Sequence, residues 1–324
     1  VGTPTHDHLD RARALLDSTP PLLRNAAADP FGAPTWADRL DLWLTSPDLS
    51  GLPFHVRAGC TEAAADDLLV TFGEAREDWL RASNARAPAH LRVNVARTSV
   101  EALGAELARA GIPTRPIGRW GLEVDGRANL LGHPAFERGA FELQDLGSQE
   151  VVAYVEAEGR TVLDLCAGAG GKALGLAAVG ARVTATDVRR RALDALRERA
   201  RRARADVRVV DRGVTGTFER VLVDAPCSGS GVWRRHPEYR WRLDPLPTDV
   251  QLGLLAEAAD RVAPGGELVY ATCSSLAAED ERVAEAFLAA HPAFEPARPA
   301  LRLSPHTHGT DGMFAAAFRR TETP

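Results

Sequence analysis

Two cysteines stand out because each follows a short apolar run and lies in a polar, turn-forming segment. Cys227 follows "VLVDAP" and precedes "SGSG", and Cys273 follows "ELVYAT" and precedes two serines. Apolar runs of this length predict buried strands, so both thiols are expected at strand ends, where an ionised cysteine can act as a nucleophile. Core packing is the alternative for either cysteine taken alone, but the polar turns around both favour chemistry.

The composition excludes several classes of protein. The chain of 324 residues is 45% hydrophobic and 26% charged, which is typical of a soluble globular protein with two domains, or one large domain and an extension. Its four cysteines have neither the density of a disulfide framework nor the paired spacing of a zinc site. No apolar run is long enough to span a membrane, and the N-terminus lacks a secretory layout. We therefore expect a cytoplasmic protein without membrane contact or metal.

The pattern of apolar residues divides the chain into three regions. Residues 1–80 are predicted to be helical, because "DHLDRARALLD" and "TWADRLDLWLTS" carry apolar residues at helical spacing. Residues 81–150 are predicted to form a small α+β module that binds RNA, with a strand at "LRVNV", a capped helix in "TSVEALGAELARAG" and a second strand from Ile112. Residues 151–324 repeat strand, turn and helix, which is typical of a parallel sheet covered on both faces.

Seven strands are expected in this last region. Five of them are predicted at residues 161–165, 182–186, 207–210, 220–224 and 267–272. The final stretch, "LRLSPHTHGTDGMFAAAFRR", predicts two more strands joined by a turn that contains glycine, which would form a hairpin at the sheet edge. The predicted fold class is therefore α/β, with a Rossmann-like, mostly parallel seven-stranded sheet.

A glycine-rich loop follows the first of these strands. Gly168, Gly170 and Gly171 lie where the strand gives way to a helix, so the backbone can approach a ligand and the helix start offers unpaired amides. Asp187 ends the next strand, about 20 residues further on, from where a carboxylate can bind ribose hydroxyls. This combination predicts a nucleotide-like cofactor and is shared by NAD-dependent enzymes and methyltransferases. It is not a P-loop, because Lys172 is followed by alanine instead of serine or threonine.

Arginines are concentrated in two segments in spite of the net charge of −5. Residues 189–212 contain ten arginines and four acids, which indicates either contact with phosphates or a solvated helix face. In "WRRHPEYRWR", residues 233–242, four arginines alternate with three aromatic residues, and such a segment, if exposed, offers charge and stacking planes to RNA. The residues predicted to contact RNA are Trp233, Arg234, Arg235, His236 and Arg240. For His236, an ordinary surface position is the alternative.

The order and spacing of several blocks resemble a known family. "DLCAGAGGKA", "ATD", "DAPCSGSGVWRRHPEYRW" and "YATCSS" are similar to blocks of the RsmB-like Nop/Sun family of RNA cytosine-5 methyltransferases, as are "LRVNVARTS", "FELQDLGSQE" and "DGMFAAAFRR". The resemblance covers roughly residues 91–320. It implies a class I methyltransferase fold, S-adenosylmethionine as cofactor and RNA as partner. One departure is the cofactor loop, where Gly168, Ala169 and Ala173 replace the alanine, proline and threonine of the family's common Ala-Pro-Gly-Gly-Lys-Thr.

Methylation at carbon 5 of cytosine requires a thiolate. That carbon is a poor nucleophile until a thiolate adds to carbon 6, and the addition needs an acidic group near the base. Spacing alone does not decide which cysteine attacks. The resemblance implies Cys273 as the nucleophile and Cys227 as the residue that promotes product release. Asp224 is expected to hydrogen-bond the cytosine edge, with strand-end capping as its alternative. Lys172 is expected to face the cofactor or the target pocket, with a surface position as its alternative.

The predicted cofactor site surrounds the glycine loop and the strand ends. Its residues are Cys166, Ala167, Gly168, Gly170, Gly171, Lys172, Asp187, Asp211 and Asp224. Core packing is the alternative for Cys166, and a solvated loop position is the alternative for Asp211. The predicted function is S-adenosylmethionine-dependent formation of 5-methylcytosine in 16S ribosomal RNA by a monomer, which would be a step of rRNA processing. Transfer RNA is the alternative substrate, and a non-catalytic ribosome-assembly factor or a nicotinamide-dependent oxidoreductase is the alternative function.

Overall fold

The structure, a computed structural model, describes residues 51–241 and 246–321. The chain divides into two compact units, residues 1–57 and 58–324, and the helices predicted in residues 1–50 lie outside the described part. The first described elements are the helices α1 (Phe54–Ala58), α2 (Glu62–Phe72) and α3 (Arg76–Asn84). The helical structure predicted up to residue 80 is thus observed from residue 54 onward.

A small antiparallel sheet follows these helices. Its strands are β1 (Ala89–Val93), β2 (Thr114–Ile117), β3 (Gly121–Val124) and β4 (Phe141–Leu143). Their order is β2-β3-β1-β4. Helix α4 (Val100–Arg109) begins at the predicted cap, where the Ser99 hydroxyl accepts a hydrogen bond from the Ala102 amide at 3.1 Å. The strand that was expected from Ile112 begins two residues later, at the start of β2.

The remaining strands form one seven-stranded sheet, as predicted. They are β5 (Thr161–Asp164), β6 (Arg182–Ala185), β7 (Val207–Val209), β8 (Phe218–Asp224), β9 (Val262–Thr272), β10 (Phe294–Leu303) and β11 (Met313–Arg320). Their order is β10-β11-β9-β8-β5-β6-β7, with β5 to β9 parallel and β11 antiparallel to both of its neighbours. The final hairpin therefore lies at the sheet edge, as expected, although its connection includes a short helix as well as a glycine.

Helices cover both faces of this sheet. The other helices of the described chain are α5 (Pro134–Glu137), α6 (Leu146–Tyr154), α7 (Gly171–Ala178), α8 (Arg190–Ala203), α9 (Thr248–Ala259), α10 (Glu281–Ala290) and α11 (Pro305–His308). Successive residues of a strand point to opposite faces, so Leu222 packs with residues of α6, α7 and α8, whereas Val221 and Val223 pack with residues of α9 and α10. A strand buried on both faces must be apolar throughout, which is why "VLV" predicts β8 so clearly.

The order of the strands creates a crevice beside β5. The chain runs from β5 to β6 and β7 on one side and then returns to β8 and β9 on the other side. In open α/β sheets, a ligand crevice forms at the carboxyl ends of the strands where the order reverses in this way. The loops after β5, β8 and β9 carry the glycines and the two cysteines, so these groups converge at one edge of the sheet.

Two predictions concern the chain as a whole. The domain boundaries at residues 80 and 150 stay predictions, since the small sheet and the large sheet belong to one compact unit. Among residues 51–241 and 246–321, no helix combines the length and the apolar character that a membrane span requires.

Replacement of Gly139 by alanine is expected to destabilise the protein more than the same replacement of Gly159. Both glycines have a left-handed backbone, with φ of +74° and +72°, so either alanine costs about 1–2 kcal/mol in strain. A Cβ at Gly139 would lie 2.2 Å from the carbonyl oxygen of Arg202, whereas nothing lies within 4 Å at Gly159. We expect Gly139→Ala to lower the free energy of unfolding by a further ~1–3 kcal/mol in urea denaturation. Equal losses would contradict close packing against α8.

Candidate active site

A cleft of about 1520 Å³ lies at the carboxyl ends of the parallel strands. Its lining contains most of the predicted catalytic and cofactor residues: Cys166, Ala167, Gly168, Gly171, Lys172, Asp187, Asp211, Asp224, Cys227 and Cys273. Gly170 does not belong to the lining that the described residues form. Its φ of +85°, and a Cβ position only 2.0 Å from Leu196, give it a packing role at the start of α7. His90 and Gln144 also line the cleft, so the small sheet contributes to its wall.

Asp187, just after β6, connects the glycine loop to the start of α8. Its carboxylate accepts hydrogen bonds from the amides of Gly168 and Arg189, both at 2.8 Å, and from the Arg189 guanidinium at 3.0 Å. Burial opposes ionisation, but these hydrogen bonds and the charge of Arg189 hold the pKa of Asp187 below its usual value. An ionised carboxylate is therefore fixed at the edge of the crevice.

Lys172 and Asp224 form an ion pair in the cleft. The Nζ atom of Lys172 lies 2.7 Å from an oxygen of Asp224, and the two side chains are 9% and 31% exposed. Burial favours the neutral amine, but Asp224, with smaller effects from Cys273 and Asp164, raises the pKa of Lys172 above its usual value. A cation in the first turn of a helix opposes the helix dipole, so the partner on β8 explains why a lysine is stable there.

Asp164, the last residue of β5, is a second carboxyl in this region. It is fully buried. Burial and the negative charge of Asp224 raise the pKa of Asp164 to about 8, although the Lys172 ammonium acts in the opposite direction. Asp164 therefore carries its proton at neutral pH. The positive charge of Lys172 is then balanced by Asp224 alone.

The sulfur atoms of Cys227 and Cys273 lie 3.4 Å apart. Strands β8 and β9 run side by side, with Asp224 opposite Ala271, so the loops that follow them leave the sheet together. The amide of Gly231 donates to the carbonyl oxygen of Cys273 at 3.0 Å, which joins the two loops. The hydrogen bond with Cys273, followed by burial, raises the pKa of Cys227 well above its usual value. Cys227 therefore keeps its proton at neutral pH.

A buried carboxylate holds the two cysteine loops together. Glu279 is fully buried and accepts hydrogen bonds from the amide and hydroxyl of Ser228, at 2.8 and 2.5 Å, and from the hydroxyl of Ser274 at 2.7 Å. The hydroxyl of Ser230 lies 3.0 Å from that of Ser274 and accepts from the amide of Ser275 at 2.8 Å. We call these five residues the serine clasp. Sequence reasoning missed Glu279, because nothing in "LAAEDE" marks one acid as buried until the loops meet.

Arg234 and Arg235 form ion pairs inside the protein. The Nε atoms of both arginines donate to Asp311 at 2.6 Å, and their terminal nitrogens lie 3.2 and 2.8 Å from Asp145. The Arg234 side chain is only 5% exposed. Burial opposes the charge of Asp145, but hydrogen bonds from His90 and backbone amides and the charge of Arg235 hold its pKa far below the usual value. The cluster ties this loop to the starts of α6 and β11.

Trp233 is buried, and the partly exposed Arg240 packs against it. Trp233 is 1% exposed, and its ring centroid lies 5.1 Å from that of Trp79. The guanidinium of Arg240 lies 5.1 Å from the Trp233 ring and donates to the carbonyl oxygen of Ala58 at 3.3 Å. Arginines and aromatic residues can stack on each other as well as on bases. Trp233, Arg234 and Arg240 thus make contacts within the fold, and their contact with RNA stays a prediction.

The other two members of the predicted RNA-binding set are accessible. Arg235 lines the cleft, with its side chain 30% exposed in spite of its two acidic partners. His236 is exposed and stacks on Tyr239, with ring centroids 4.8 Å apart. Contact of these two residues with RNA stays a prediction.

Asp211 and Cys166 lie at the edge and at the base of the crevice. Asp211 is 53% exposed and pairs with Arg197 at 2.9 Å, and the hydrogen bond from Arg197 lowers its pKa. Burial raises the pKa of Cys166 to about 12, so this thiol does not ionise at neutral pH. Within the two described ranges, no group of three or more His, Cys, Asp or Glu side chains is arranged to hold a metal ion.

The sequence matches two family models, which lie one after the other along the chain. Residues 151–319 match the model described as 16S rRNA methyltransferase RsmB/F, and residues 65–129 match the RsmF/B-like ferredoxin-like domain. The chain belongs to the RsmB/F methyltransferase family. Membership of this family confirms the resemblance and the methyltransferase fold that the sequence predicts, and S-adenosylmethionine is the cofactor expected for it.

Relatives are similar along most of this chain. A Mycobacterium tuberculosis protein whose name assigns it to the methyltransferases is 38% identical over 291 residues, which cover 80% of this chain and 62% of that protein. The Bacillus subtilis "Probable ribosomal RNA small subunit methyltransferase B" is 30% identical over 317 residues, 85% of this chain and 70% of that protein. The crystal structure of NSun6 from Pyrococcus horikoshii with SFG shares the fold, with a TM-score of 0.72 and 17% identity over 82% of this chain and 99% of that one. This chain thus spans less than two thirds of its mycobacterial relative.

Asp164→Asn is expected to change how stability depends on pH. A carboxyl with a pKa of about 8 in the folded protein and about 3.9 in the unfolded chain binds a proton preferentially when folded. Its contribution to stability therefore falls as the pH rises between these values, whereas asparagine does not titrate. The free energy of unfolding of the variant should rise relative to wild type by up to about 1.4 kcal/mol per pH unit, from about pH 5 to 8, and then level off. Urea denaturation at each pH measures this, and a constant difference would contradict a protonated Asp164.

Proposed function

We propose that this chain transfers a methyl group from S-adenosylmethionine to carbon 5 of a cytidine in 16S ribosomal RNA, through a transient bond between Cys273 and the base. The observation that carries the proposal is the 3.4 Å separation of the Cys227 and Cys273 sulfurs in a cleft that also contains the glycine loop and the pair of Lys172 and Asp224. Hydride transfer to a nicotinamide needs neither thiol, so this arrangement favours the methyltransferase over an oxidoreductase.

The crevice beside β5 fits the adenosyl part of S-adenosylmethionine. Gly168 has a φ of +55°, and its amide is held by the ionised Asp187, whose carboxylate can accept hydrogen bonds from ribose hydroxyls. Arg189 also binds this carboxylate. Its side chain is 70% exposed, so it can move away from Asp187 when a ligand binds. The further residues proposed to hold the cofactor are Cys166, Ala167, Gly171, Lys172, Asp211 and Asp224, while Gly170 shapes the loop. The bound cofactor supplies an electrophilic methyl group.

The size of the cleft supports a site for two ligands. Pockets for a single small ligand measure about 300–1000 Å³, whereas this cleft measures about 1520 Å³. A cytosine within a helix must leave its stack to reach such a site, or it must already be unpaired. We propose that the base enters beside the cysteines and that Arg235 and the wall formed by the small sheet contact the flanking RNA.

The surroundings of the two thiols suit two different roles. Cys273 lines the same cleft as Lys172 and the glycine loop, and we assign it as the nucleophile. Its sulfur adds to carbon 6 of cytosine, and the electron pair of the 5,6 double bond becomes available at carbon 5 for the methyl group. The sulfur of Cys227 then takes the proton from carbon 5, the double bond re-forms, and the bond from sulfur to carbon 6 breaks with its electron pair returning to Cys273. Cys227 can accept that proton because its own proton passes to the sulfur of Cys273, 3.4 Å away, as the bond to carbon 6 breaks.

Asp224 is proposed to bind the edge of the base. Lys172 holds one of its oxygens, and the side chain remains 31% exposed. A hydrogen bond between this carboxyl group and a ring nitrogen of cytosine favours protonation there, so negative charge does not build up on the ring while Cys273 adds. Lys172 keeps the carboxyl group in place.

Ribosomal RNA is the substrate class that the relatives favour. The matched family model is described by its action on 16S rRNA, and the Bacillus subtilis relative is named for ribosomal RNA of the small subunit. We therefore propose 16S rRNA in preference to transfer RNA. A non-catalytic assembly factor would have no chemical reason to hold two thiols and a buried lysine around one cleft.

Cys273→Ala and Cys227→Ala are expected to fail in different ways. Without the nucleophile of residue 273, methyl transfer should be abolished and no covalent complex should form. Without Cys227, the bond to the base should form but not resolve, so a protein–RNA adduct should accumulate. The measurements are incorporation of tritiated methyl groups into unmodified ribosomal RNA and the mobility of the protein in denaturing gels, and bisulfite sequencing locates the modified cytidine.

Cys60→Ala is the matched control, because Cys60 does not line the cleft. This variant should methylate RNA like the wild type and form no lasting adduct. Equal residual activity in the two cleft variants, with no adduct in either, would refute the assigned roles. Methylation at a nitrogen or a ribose hydroxyl would refute the proposed reaction.

A further inference from the structure

The glycine loop, residues 166–171, is held by two arginines that bind its backbone carbonyls. Arg199 of α8 donates to the carbonyl oxygen of Ala169 at 2.7 Å. Arg92 of β1, which is 3% exposed, donates to the carbonyl oxygen of Gly171. Backbone carbonyl groups removed from water need such partners, and these bonds hold the backbone of the loop in place.

Arg199 is itself held by a carboxylate of the small sheet. Glu142 of β4 is 4% exposed and accepts from Arg199 at 2.9 Å and from Arg202 at 2.5 Å. A guanidinium presents several N–H donors in one rigid plane, so Arg199 can bind Ala169 and Glu142 at the same time. Arg202 also packs against Phe136, with its guanidinium 3.9 Å from the ring centroid. The chain of contacts thus runs from the small sheet through α8 to the loop.

The loop needs hydrogen bonds from other elements of the protein because it contains conformationally free glycines. Gly168 and Gly170 have φ of +55° and +85°, and glycine loses more conformational freedom on ordering than any other residue. A loop that must be ordered by its ligand binds more weakly than one that is already ordered. The hydrogen bond at Ala169 lies between these two glycines and so restricts the loop at its flexible part.

We propose that Arg199 is a positioning residue for the cofactor loop, oriented by Glu142, so that the small sheet sets the affinity of the crevice for its cofactor. This inference rests on the proposed function, because it takes the occupant of the crevice to be S-adenosylmethionine. It assigns Arg199 no contact with the reacting atoms. Its removal should therefore weaken cofactor binding while the chemical step continues once the crevice is saturated.

Arg199→Ala tests this inference, with Arg201→Ala as the matched control. Arg201 lies on the same helix and is exposed. Calorimetric titration with S-adenosylhomocysteine should give a Kd about 10-fold to 100-fold higher for Arg199→Ala, as expected for the loss of a hydrogen bond to a charged group, and the KM for S-adenosylmethionine should rise in parallel. The kcat at saturating cofactor should stay within about twofold of wild type, and Arg201→Ala should match the wild type in all three.

Two milder variants keep the test decisive if Arg199→Ala folds poorly. Arg199→Lys keeps the charge, but its point-like ammonium cannot bind Ala169 and Glu142 as a fork, so an intermediate Kd is expected. Glu142→Gln should raise the Kd as well, since it weakens the hold on Arg199. The melting temperature of each variant without ligand checks its folding.

The outcomes separate this inference from the proposed function. An unchanged Kd in folded Arg199→Ala, Arg199→Lys and Glu142→Gln, or a loss of kcat without a change in Kd, would overturn the positioning role and leave the proposed function standing. A wild-type protein that does not bind S-adenosylhomocysteine at all would overturn the proposed cofactor and this inference with it.

Discussion

The buried carboxylate of Glu279 is the constraint on which the arrangement of the cysteines depends. A charge buried without hydrogen-bond partners costs several kcal/mol, and the donors that Glu279 finds come from Ser228 and Ser274. These serines directly follow Cys227 and Cys273, so neither loop can move without leaving Glu279 unsatisfied. The serine clasp, more than the cysteines themselves, therefore holds the two sulfurs 3.4 Å apart.

The charges of the cleft are arranged in balanced groups. Lys172 is paired with Asp224, Asp187 with Arg189, and the acids Asp145 and Asp311 with two arginines. Asp164, a buried acid at the end of β5, is neutral at neutral pH. An anionic RNA would therefore meet little uncompensated negative charge in the cleft, although the protein as a whole has a net charge of −5.

The small sheet is part of the site in a physical sense. Asn94 donates to the carbonyl oxygens of Gly139 and Ala203, at 2.9 and 3.0 Å, and so joins the small sheet to α8. Gly139 packs so closely against α8 that a Cβ would overlap its backbone. Together with the hydrogen bonds of Glu142, these contacts make the glycine loop dependent on both sheets. Each region matches a separate family model. These contacts nevertheless join the two regions, so the glycine loop depends on both.

The sequence by itself determined the seven-stranded sheet, the glycine loop and the position of both cysteines at strand ends. These features are local: an apolar run predicts a strand wherever it lies, and a glycine loop between strand and helix has few alternatives. The exposure of "WRRHPEYRW" is not a local property. The sequence of this segment would be the same whether Arg234 and Trp233 contacted RNA or, as here, Asp311 and Trp79.

Only the tertiary structure could decide which polar residues pair. Glu279, Glu142 and Asp145 are ordinary acids in the sequence, yet each has a partner far along the chain, at separations of 51, 57 and 89 positions. Contacts over such separations arise when strands align in the sheet and bring distant loops to one edge. Burial and partnership then set the pKa of Asp164 and Cys227 and the positions of the arginines, and no residue type or spacing along the chain carries that information.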